Sequence, residues 1–268
     1  MTRLPSRLVL LGRPVSHSLS PAFQNAALRH AALPVRYELL DVAPDALDAT
    51  LDALVVEGAW GNVTIPHKEH VASRCARVSA LAERVGAVNT FWSEDGALVG
   101  DNTDVGGFRA LLNETAPDLD RTKPVAVLGA GGSAAAVLTA LEQDAFLDVR
   151  VCSRTEARAL ALCERFSAAR VESNAEAGVR GASLVINTTP SGLDDSSTPI
   201  DAELIESSAV VLDLIVGRNE TPLVRAARGR GLRAADGLTM LIEQGALAFE
   251  RWFGVAPDRD VMRRAVAR

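Results

Sequence analysis

Short apolar runs alternate with amphipathic stretches along the whole chain, the pattern of strands interleaved with helices. Arg7–Gly12 predicts a first strand, and Ser20-Pro21 a helix start, with serine capping and proline at the first helical position. Val35–Asp41 alternates as a strand. Pro44–Glu57 reads as a helix, Trp60–Thr64 as a short strand and Pro66–Arg84 as helical segments. Ala87–Trp92 and Ala97–Gly100 predict a hairpin turned at Glu94-Asp95-Gly96. Val105–Asn113 predicts a connecting helix, and the polar residues 114–123 a linker. Beyond it come a strand at Val125–Leu128, a helix at Ser133–Gln143, and strands at Val149–Ser153, Ser183–Asn187, Ala209–Asp213 and Leu232–Ala235, with helices between. The last helices, Leu238–Phe253 and Asp258–Ala267, follow no further strand and are expected to return to the first unit.

This order predicts an α/β protein of two domains. Residues 1–104 with 239–268 form a substrate domain with a mainly parallel sheet. Residues 105–238 form a doubly wound nucleotide domain of the Rossmann type. The length of 268 residues suffices for two modest domains, and 48% hydrophobic with 23% charged residues is ordinary for a globular protein. A net charge of −6 disfavours nucleic acid and anionic membrane as partners. Three cysteines, Cys75, Cys152 and Cys163, are too few for a disulfide framework and lack metal-site spacing, so no metal is expected. No leader is read at Met1–Arg7 and no membrane span elsewhere, which predicts a cytoplasmic protein, monomeric or homodimeric, acting on a small molecule.

The strongest chemical signal is Gly129-Ala130-Gly131-Gly132-Ser133-Ala134, directly after an apolar strand and at the start of a helix. The spacing G-x-G-x-x-A is the dinucleotide fingerprint. Gly129 makes the tight turn, Gly131 lets the backbone approach a pyrophosphate, and Ala134 lets the helix pack on the strand. The next strand ends in Cys152-Ser153-Arg154-Thr155, with Arg158 one turn later and no carboxylate at the strand end. Arginines and hydroxyls there suit a 2′-phosphate, so NADP (NADPH) is the expected cofactor.

Polar residues gather at the predicted strand ends of the first unit. Ser16 and Ser18 lie two apart, and in an extended loop their hydroxyls face one way. Asn62 and Thr64 share a strand face. Lys68 opens the helix after Pro66, where the helix dipole favours anions rather than cations, a placement that suits acid–base work. Asn89 and the run Asp101-Asn102-Thr103-Asp104 add further polar groups, and Asp104 is a partner for Lys68 across a cleft. Asn, Thr and Asp clusters are also ordinary turns, and that alone accounts for 101–104 equally well. A ligand is expected between the two units.

With the glycine turn, these stretches make a recognisable set. Ser16-His-Ser-Leu-Ser-Pro21, Asn62-Val-Thr-Ile-Pro-His-Lys68, Gly86-Ala-Val-Asn-Thr90, Asn102-Thr-Asp104, Gly129–Ala134, Thr221-Pro-Leu223 and Asp236–Ala246 resemble the shikimate dehydrogenase family, in the family's order and across nearly the whole chain. The resemblance implies an NADP-dependent oxidoreductase that reduces 3-dehydroshikimate to shikimate on the route to chorismate and the aromatic amino acids. It implies that Ser16 and Ser18 hold the substrate carboxylate, that Asn62, Thr64, Asn89, Asp104 and Gln244 bind ring hydroxyls, and that Lys68 with Asp104 is the catalytic pair. Asn187, Thr188, Thr189 and Pro190 are expected at the nicotinamide end of the cofactor site, with Gly237 as a backbone contact and Val216 nearby.

Three positions depart from the family pattern. Ser153 stands for the usual asparagine, Thr239 for a glycine, and Val216 for a tyrosine near the substrate carboxylate. The last loses a hydrogen bond to a charged group, about 1.5–3 kcal/mol. The runner-up reading is a quinate/shikimate or related cyclitol-carboxylate dehydrogenase, which tends to have an acidic strand end that this chain lacks. A non-catalytic NADP-binding protein is a third reading, and it has no need of a lysine–aspartate pair.

Overall fold

The structure, a computed structural model, describes residues 4–194, 197–217 and 219–267. Residues 1–3, part of the stretch read for a leader, and Arg268, at the end of the substrate domain as expected from sequence, lie outside the described residues. The chain forms two compact units. One comprises the residues up to Asp104 with Ile242–Ala267, the other Val105–Leu241.

The first unit contains β1 (Leu8–Gly12), α1 (Ser20–His30), β2 (Tyr37–Asp41), α2 (Leu47–Glu57), β3 (Trp60–Val63), α3 (Lys68–Arg74), β4 (Arg77–Val78), α4 (Ala80–Val85), β5 (Thr90–Glu94) and β6 (Ala97–Asp101). Its sheet runs β2-β1-β3-β5-β6-β4. β1 pairs in parallel with β2 and β3, whereas β5 is antiparallel to both β3 and β6. β1 and β3 are buried at every residue, as strands covered on both faces must be. β2, at the edge, buries Tyr37 and exposes most of the rest. The β5–β6 hairpin turns on Asp95 and Gly96, at φ 52° and 75°, the two left-handed residues of a type I′ turn.

α5 (Asp104–Thr115) leads into the second unit, which contains β7 (Val125–Leu128), α6 (Gly132–Gln143), β8 (Val149–Cys152), α7 (Glu156–Cys163), β9 (Ala169–Val171), α8 (Ala175–Val179), β10 (Leu184–Asn187), β11 (Val210–Asp213), α9 (Pro222–Gly229) and β12 (Arg233–Asp236). Its sheet is wholly parallel in the order β12-β11-β10-β7-β8-β9, two mononucleotide halves diverging from β7 and β10. The core beneath it joins Ala126, Val185 and Val211 to Val224 and Ala227 of α9.

α10 (Leu238–Phe253) and α11 (Arg259–Arg264) close the chain. From Ile242 onward they pack in the first unit. A Cβ on Gly245 would lie 2.4 Å from the Phe23 ring of α1, so glycine permits this close approach, and Gln24 Nε2 donates to Gly245 O at 2.9 Å. Trp252 Nε1 donates to Phe91 O at 3.2 Å, and its ring lies 6.4 Å from that of Tyr37. Among the described residues no helix is long and apolar enough to cross a membrane.

The structure corrects several details of the sequence reading. Ser20 lies within α1 and caps nothing; Ser18 Oγ accepts from Ser20 N at 3.2 Å instead. The expected helix at Pro44–Glu57 starts as a 3₁₀ turn over Pro44–Ala46. Pro66–Arg84 is broken by β4, two residues paired in parallel with β6, and β9 also escaped notice. Both strands are too short to show a period.

Gly61 sits where β1, β3 and β5 meet. A Cβ there would lie 2.2 Å from Val9 O and 3.0 Å from the Phe91 ring, and the backbone carbonyl cannot yield. Gly61→Ala is expected to cost about 1–3 kcal/mol, read as a lower urea midpoint at unchanged m-value.

Candidate functional site

The polar centre of the first unit is built around one carboxylate. Lys68 Nζ donates to Asp104 Oδ2 at 2.6 Å, with the two side chains 12% and 7% exposed. Asn89 Nδ2 donates to Asp104 Oδ1 at 2.8 Å. Both carboxylate oxygens therefore have a donor, as a buried charge requires. Both members of the ion pair belong to the same unit.

Local structure fixes each partner. Pro66 and His67 end the extended run after β3 and lead into α3, and Lys68 O accepts from Val88 N at 2.9 Å, tying α3 to the segment in which Asn89 precedes β5. Asp104 opens α5, where a negative charge is favoured, and its N–H donates to Asn102 Oδ1 at 3.0 Å. Asn102 Nδ2 donates to Ala87 O at 2.9 Å. Asp101 carries no chemistry of this kind: its oxygens accept from Ser79 Oγ, from Asn102 N at 2.8 Å and from Arg251 at 2.5 Å. The turn account thus explains Asp101 and Asn102, and the functional one is left to Asp104.

The other expected substrate residues divide. Thr64 is half-buried, its methyl packed where only Gly12 leaves room, and its hydroxyl has no partner among the described residues. Gln244 Oε1 is 3.4 Å from Asn89 Nδ2. Ser16 is exposed and Ser18 half-exposed. They do not lie in an extended loop: Ser18 N bonds to Val15 O at 3.0 Å and closes a turn, so the alternation argument for a shared face fails. Asn62 is buried and spent inside the protein. Its Oδ1 accepts from Tyr37 at 2.8 Å, and its Nδ2 donates to Thr90 Oγ1 at 2.9 Å and to Asn89 O at 3.1 Å. Both its N–H groups are used within the protein, so only the second lone pair of Oδ1 is left for a substrate hydroxyl.

In the second unit β7 ends at Gly129, whose φ of 118° and whose would-be Cβ, 2.3 Å from Thr188 Oγ1, both demand glycine. A Cβ at Gly131 would meet nothing within 4 Å, an open cradle before the uncapped N-terminus of α6. Ala134 is wholly buried against the sheet. Ser153 Oγ accepts from Thr155 N at 3.2 Å, the turn an asparagine carbonyl makes, so the departure at Ser153 preserves the local backbone. Arg154, Thr155 and Arg158 are exposed, and neither guanidinium has an ion-pair partner among the described residues. This donor set, open glycine cradle and uncommitted arginines, fits a dinucleotide with a 2′-phosphate.

Asp213, at the end of β11, organises two loops beside the cradle, and sequence reading had missed it. It is fully buried and accepts from Asn187 Nδ2 at 2.8 Å, Thr221 Oγ1 at 2.7 Å and Ile215 N at 3.3 Å. Asn187 Oδ1 in turn accepts from Thr189 N and Thr189 Oγ1 at 2.9 and 2.7 Å. Asp213 thereby holds both the 187–190 loop and the loop carrying Val216. Gly237 N bonds to Ile215 O at 3.0 Å, and a Cβ on Gly237 would lie 2.4 Å from Leu214 O. Thr239 Oγ1 pairs with Glu114 Oε1 at 3.3 Å.

Comparison with known proteins identifies the family. Residues 10–91 match the model for the shikimate dehydrogenase substrate binding domain, and residues 237–267 that for the shikimate 5′-dehydrogenase C-terminal domain. A shikimate dehydrogenase (NADP(+)) of Mesorhizobium japonicum is 42% identical over 99% of this chain and 97% of its own. The chain belongs to the shikimate dehydrogenase family. The shikimate 5-dehydrogenase of Thermus thermophilus, solved with NADP(H) and shikimate, superposes with a TM-score of 0.88 at 39% identity, over 97% of this chain and 98% of that one. The Aquifex aeolicus shikimate dehydrogenase gives a TM-score of 0.91 at 34% identity over the full length of both. The two-domain α/β architecture expected from sequence is that of the family.

Burial raises the carboxyl of Asp213 above its ordinary value, and the nearby Asp236 adds to this, against the lowering by its three donors. A carboxylate with a raised folded pKa binds a proton more readily in the folded than in the unfolded chain. Stability therefore falls as pH rises from 3.8 through the raised value. Asp213→Asn removes that dependence while keeping the shape. The melting temperature of the variant relative to the parent is expected to climb across this window and then level off; a difference independent of pH would show that Asp213 does not titrate there.

Proposed function

We propose that the chain catalyses the reversible, NADP-dependent reduction of 3-dehydroshikimate to shikimate in chorismate biosynthesis, with Lys68 as the acid–base group and Asp104 as the residue that holds it. The observation that carries this reading is the Lys68–Asp104 pair at 2.6 Å, buried within a polar centre of a chain from this family. A non-catalytic nucleotide binder has no use for such a pair.

When bound, NADPH supplies the hydride that the carbonyl carbon receives. Negative charge then collects on the carbonyl oxygen, where the Lys68 ammonium stabilises it and donates the proton. In the oxidative direction, neutral Lys68 takes the proton from the hydroxyl. Asp104 keeps Lys68 in one place through its Oδ2, while Asn89 holds its Oδ1. Ser16 and Ser18 are assigned to the substrate carboxylate, and Thr64, Asn89 and Gln244 to ring hydroxyls. Gly129–Ala134 would cradle the pyrophosphate, with Ser153, Arg154, Thr155 and Arg158 on the 2′-phosphate. The loops of Asn187–Pro190, Val216 and Gly237 would face the nicotinamide. We place the enzyme in the cytoplasm, in keeping with its three free cysteines, as a monomer or homodimer.

The deciding measurement is NADP⁺ reduction by shikimate, followed at the NADPH absorbance. Lys68→Ala is expected to lower kcat by roughly 10²–10⁴-fold, the range for one acid–base group, with a smaller change in KM; an unchanged kcat would remove Lys68 from the chemistry. Arg154→Gln should raise KM for NADP⁺ by roughly 10–100-fold and leave that for NAD⁺ nearly unaltered, as loss of a charge-assisted bond of about 1.5–3 kcal/mol requires.

A further inference from the structure

Behind the Lys68–Asp104 pair lies a run of buried hydrogen bonds that the reaction as described does not use. Tyr37 donates to Asn62 Oδ1 at 2.8 Å, Asn62 Nδ2 to Thr90 Oγ1 at 2.9 Å, Thr90 Oγ1 to Asn89 Oδ1 at 3.1 Å, and Asn89 Nδ2 to Asp104 Oδ1 at 2.8 Å. Every member is buried. We propose that Tyr37, Asn62 and Thr90 are positioning residues, a one-way series of donors that locks the Asn89 amide with its N–H toward Asp104 and so holds the carboxylate in line with Lys68. The inference rests on the acid–base role assigned to that pair.

The direction of the series follows from groups that have no choice. Asp104 and the carbonyl of Asn89 can only accept, and the backbone N–H of Thr103 can only donate. Thr103 N reaches Asn89 Oδ1 at 2.7 Å, so the oxygen of that amide faces away from Asp104. Asn62 Nδ2 also reaches Asn89 O at 3.1 Å, which fixes the second amide and turns its oxygen to Tyr37. Thr90 Oγ1 then accepts from Asn62 and has its own proton to give to Asn89 Oδ1 at 3.1 Å, the nearer of its two neighbours, the other being Thr103 Oγ1 at 3.3 Å. Burial pushes the Tyr37 phenol well above its usual range, so it keeps its proton and remains a donor. Donors in series polarise one another in a low-dielectric interior, which strengthens the last bond, the one to Asp104. Amide groups do not pass protons on, so the series orients and does not conduct.

The test uses the full-length protein and the NADP⁺-reduction assay. Thr90→Val keeps the shape and deletes both the acceptor and the donor in mid-series. It is expected to lower kcat roughly 10-fold, the worth of about one buried hydrogen bond, with KM for shikimate within about twofold and the pH profile of kcat displaced. Thr90→Ser, which restores the hydroxyl, should return kcat to within about twofold of the parent by the same bond energy. Tyr37→Phe removes only the first donor and is expected to reduce kcat about threefold at unchanged KM; it decides the matter if Thr90→Val does not fold. A folded Thr90→Val enzyme with parental kcat and pH profile would overturn the inference. So would a serine variant no better than valine, or, where valine does not fold, a Tyr37→Phe enzyme equal to the parent. In each case the parent still reduces NADP⁺ with shikimate; a parent inactive with shikimate instead overturns the proposed function.

Discussion

The first unit is organised by the need to keep one charged carboxylate out of water. A buried carboxylate without partners is costly enough to protonate or to unfold its surroundings. At Asp104 a lysine ammonium meets one oxygen and an amide N–H the other. That requirement propagates outward. The amide must present nitrogen, so its oxygen needs donors, which Thr103 N and Thr90 provide. Thr90 needs Asn62, and Asn62 needs Tyr37. The residues that make the site therefore also make the unit's core, joining β2, β3, β5 and the start of α5.

The second unit meets the same problem differently. Among the described residues Asp213 has no cation bonded to it and accepts from three neutral donors, and its carboxyl is raised. A group held in this way is structural: it ties the ends of β10 and β11 to the loops that follow them. The contrast with Asp104 separates the two buried acids by task. The one with a lysine at 2.6 Å can support proton transfer, and the one among amides and a hydroxyl fixes backbone.

The alternation of apolar runs and amphipathic stretches was enough to read the strands of β1, β7, β10 and β11 and most helices, because parallel strands buried on both faces leave apolar runs. It could not reveal β4 or β9, where two and three residues pair without any period. The Lys68–Asp104 pair was legible because a lysine in the first turn of a helix is locally unfavourable and so calls for another reason. The brace behind it was not. Tyr37 lies in a stretch that reads only as an alternating strand, and Asn62 looks like a ligand group when only its strand face is considered. Which way a buried amide points depends on neighbours distant in sequence: Tyr37 is 25 residues from Asn62 and Thr90 is 28. Asp213 was read only as the last residue of a strand, since nothing local says that Thr221, eight residues on, will bond to it.

The departures from the family pattern fall where they disturb the chemistry least. At Ser153 a hydroxyl makes the turn that an asparagine carbonyl would. At Thr239 the added hydroxyl is bonded to Glu114. Val216 has no such compensation: an aliphatic side chain replaces a phenol on a loop whose backbone Asp213 still holds at Ile215. All three lie outside the polar centre of Lys68, Asn89 and Asp104, in which each side chain is committed to another. A change within that centre would strand a buried partner at the cost of a full desolvation penalty, whereas the changes at Ser153, Val216 and Thr239 leave every member of that centre with its partner. The bonds among Lys68, Asn89 and Asp104 are therefore kept in this chain while the departures fall elsewhere.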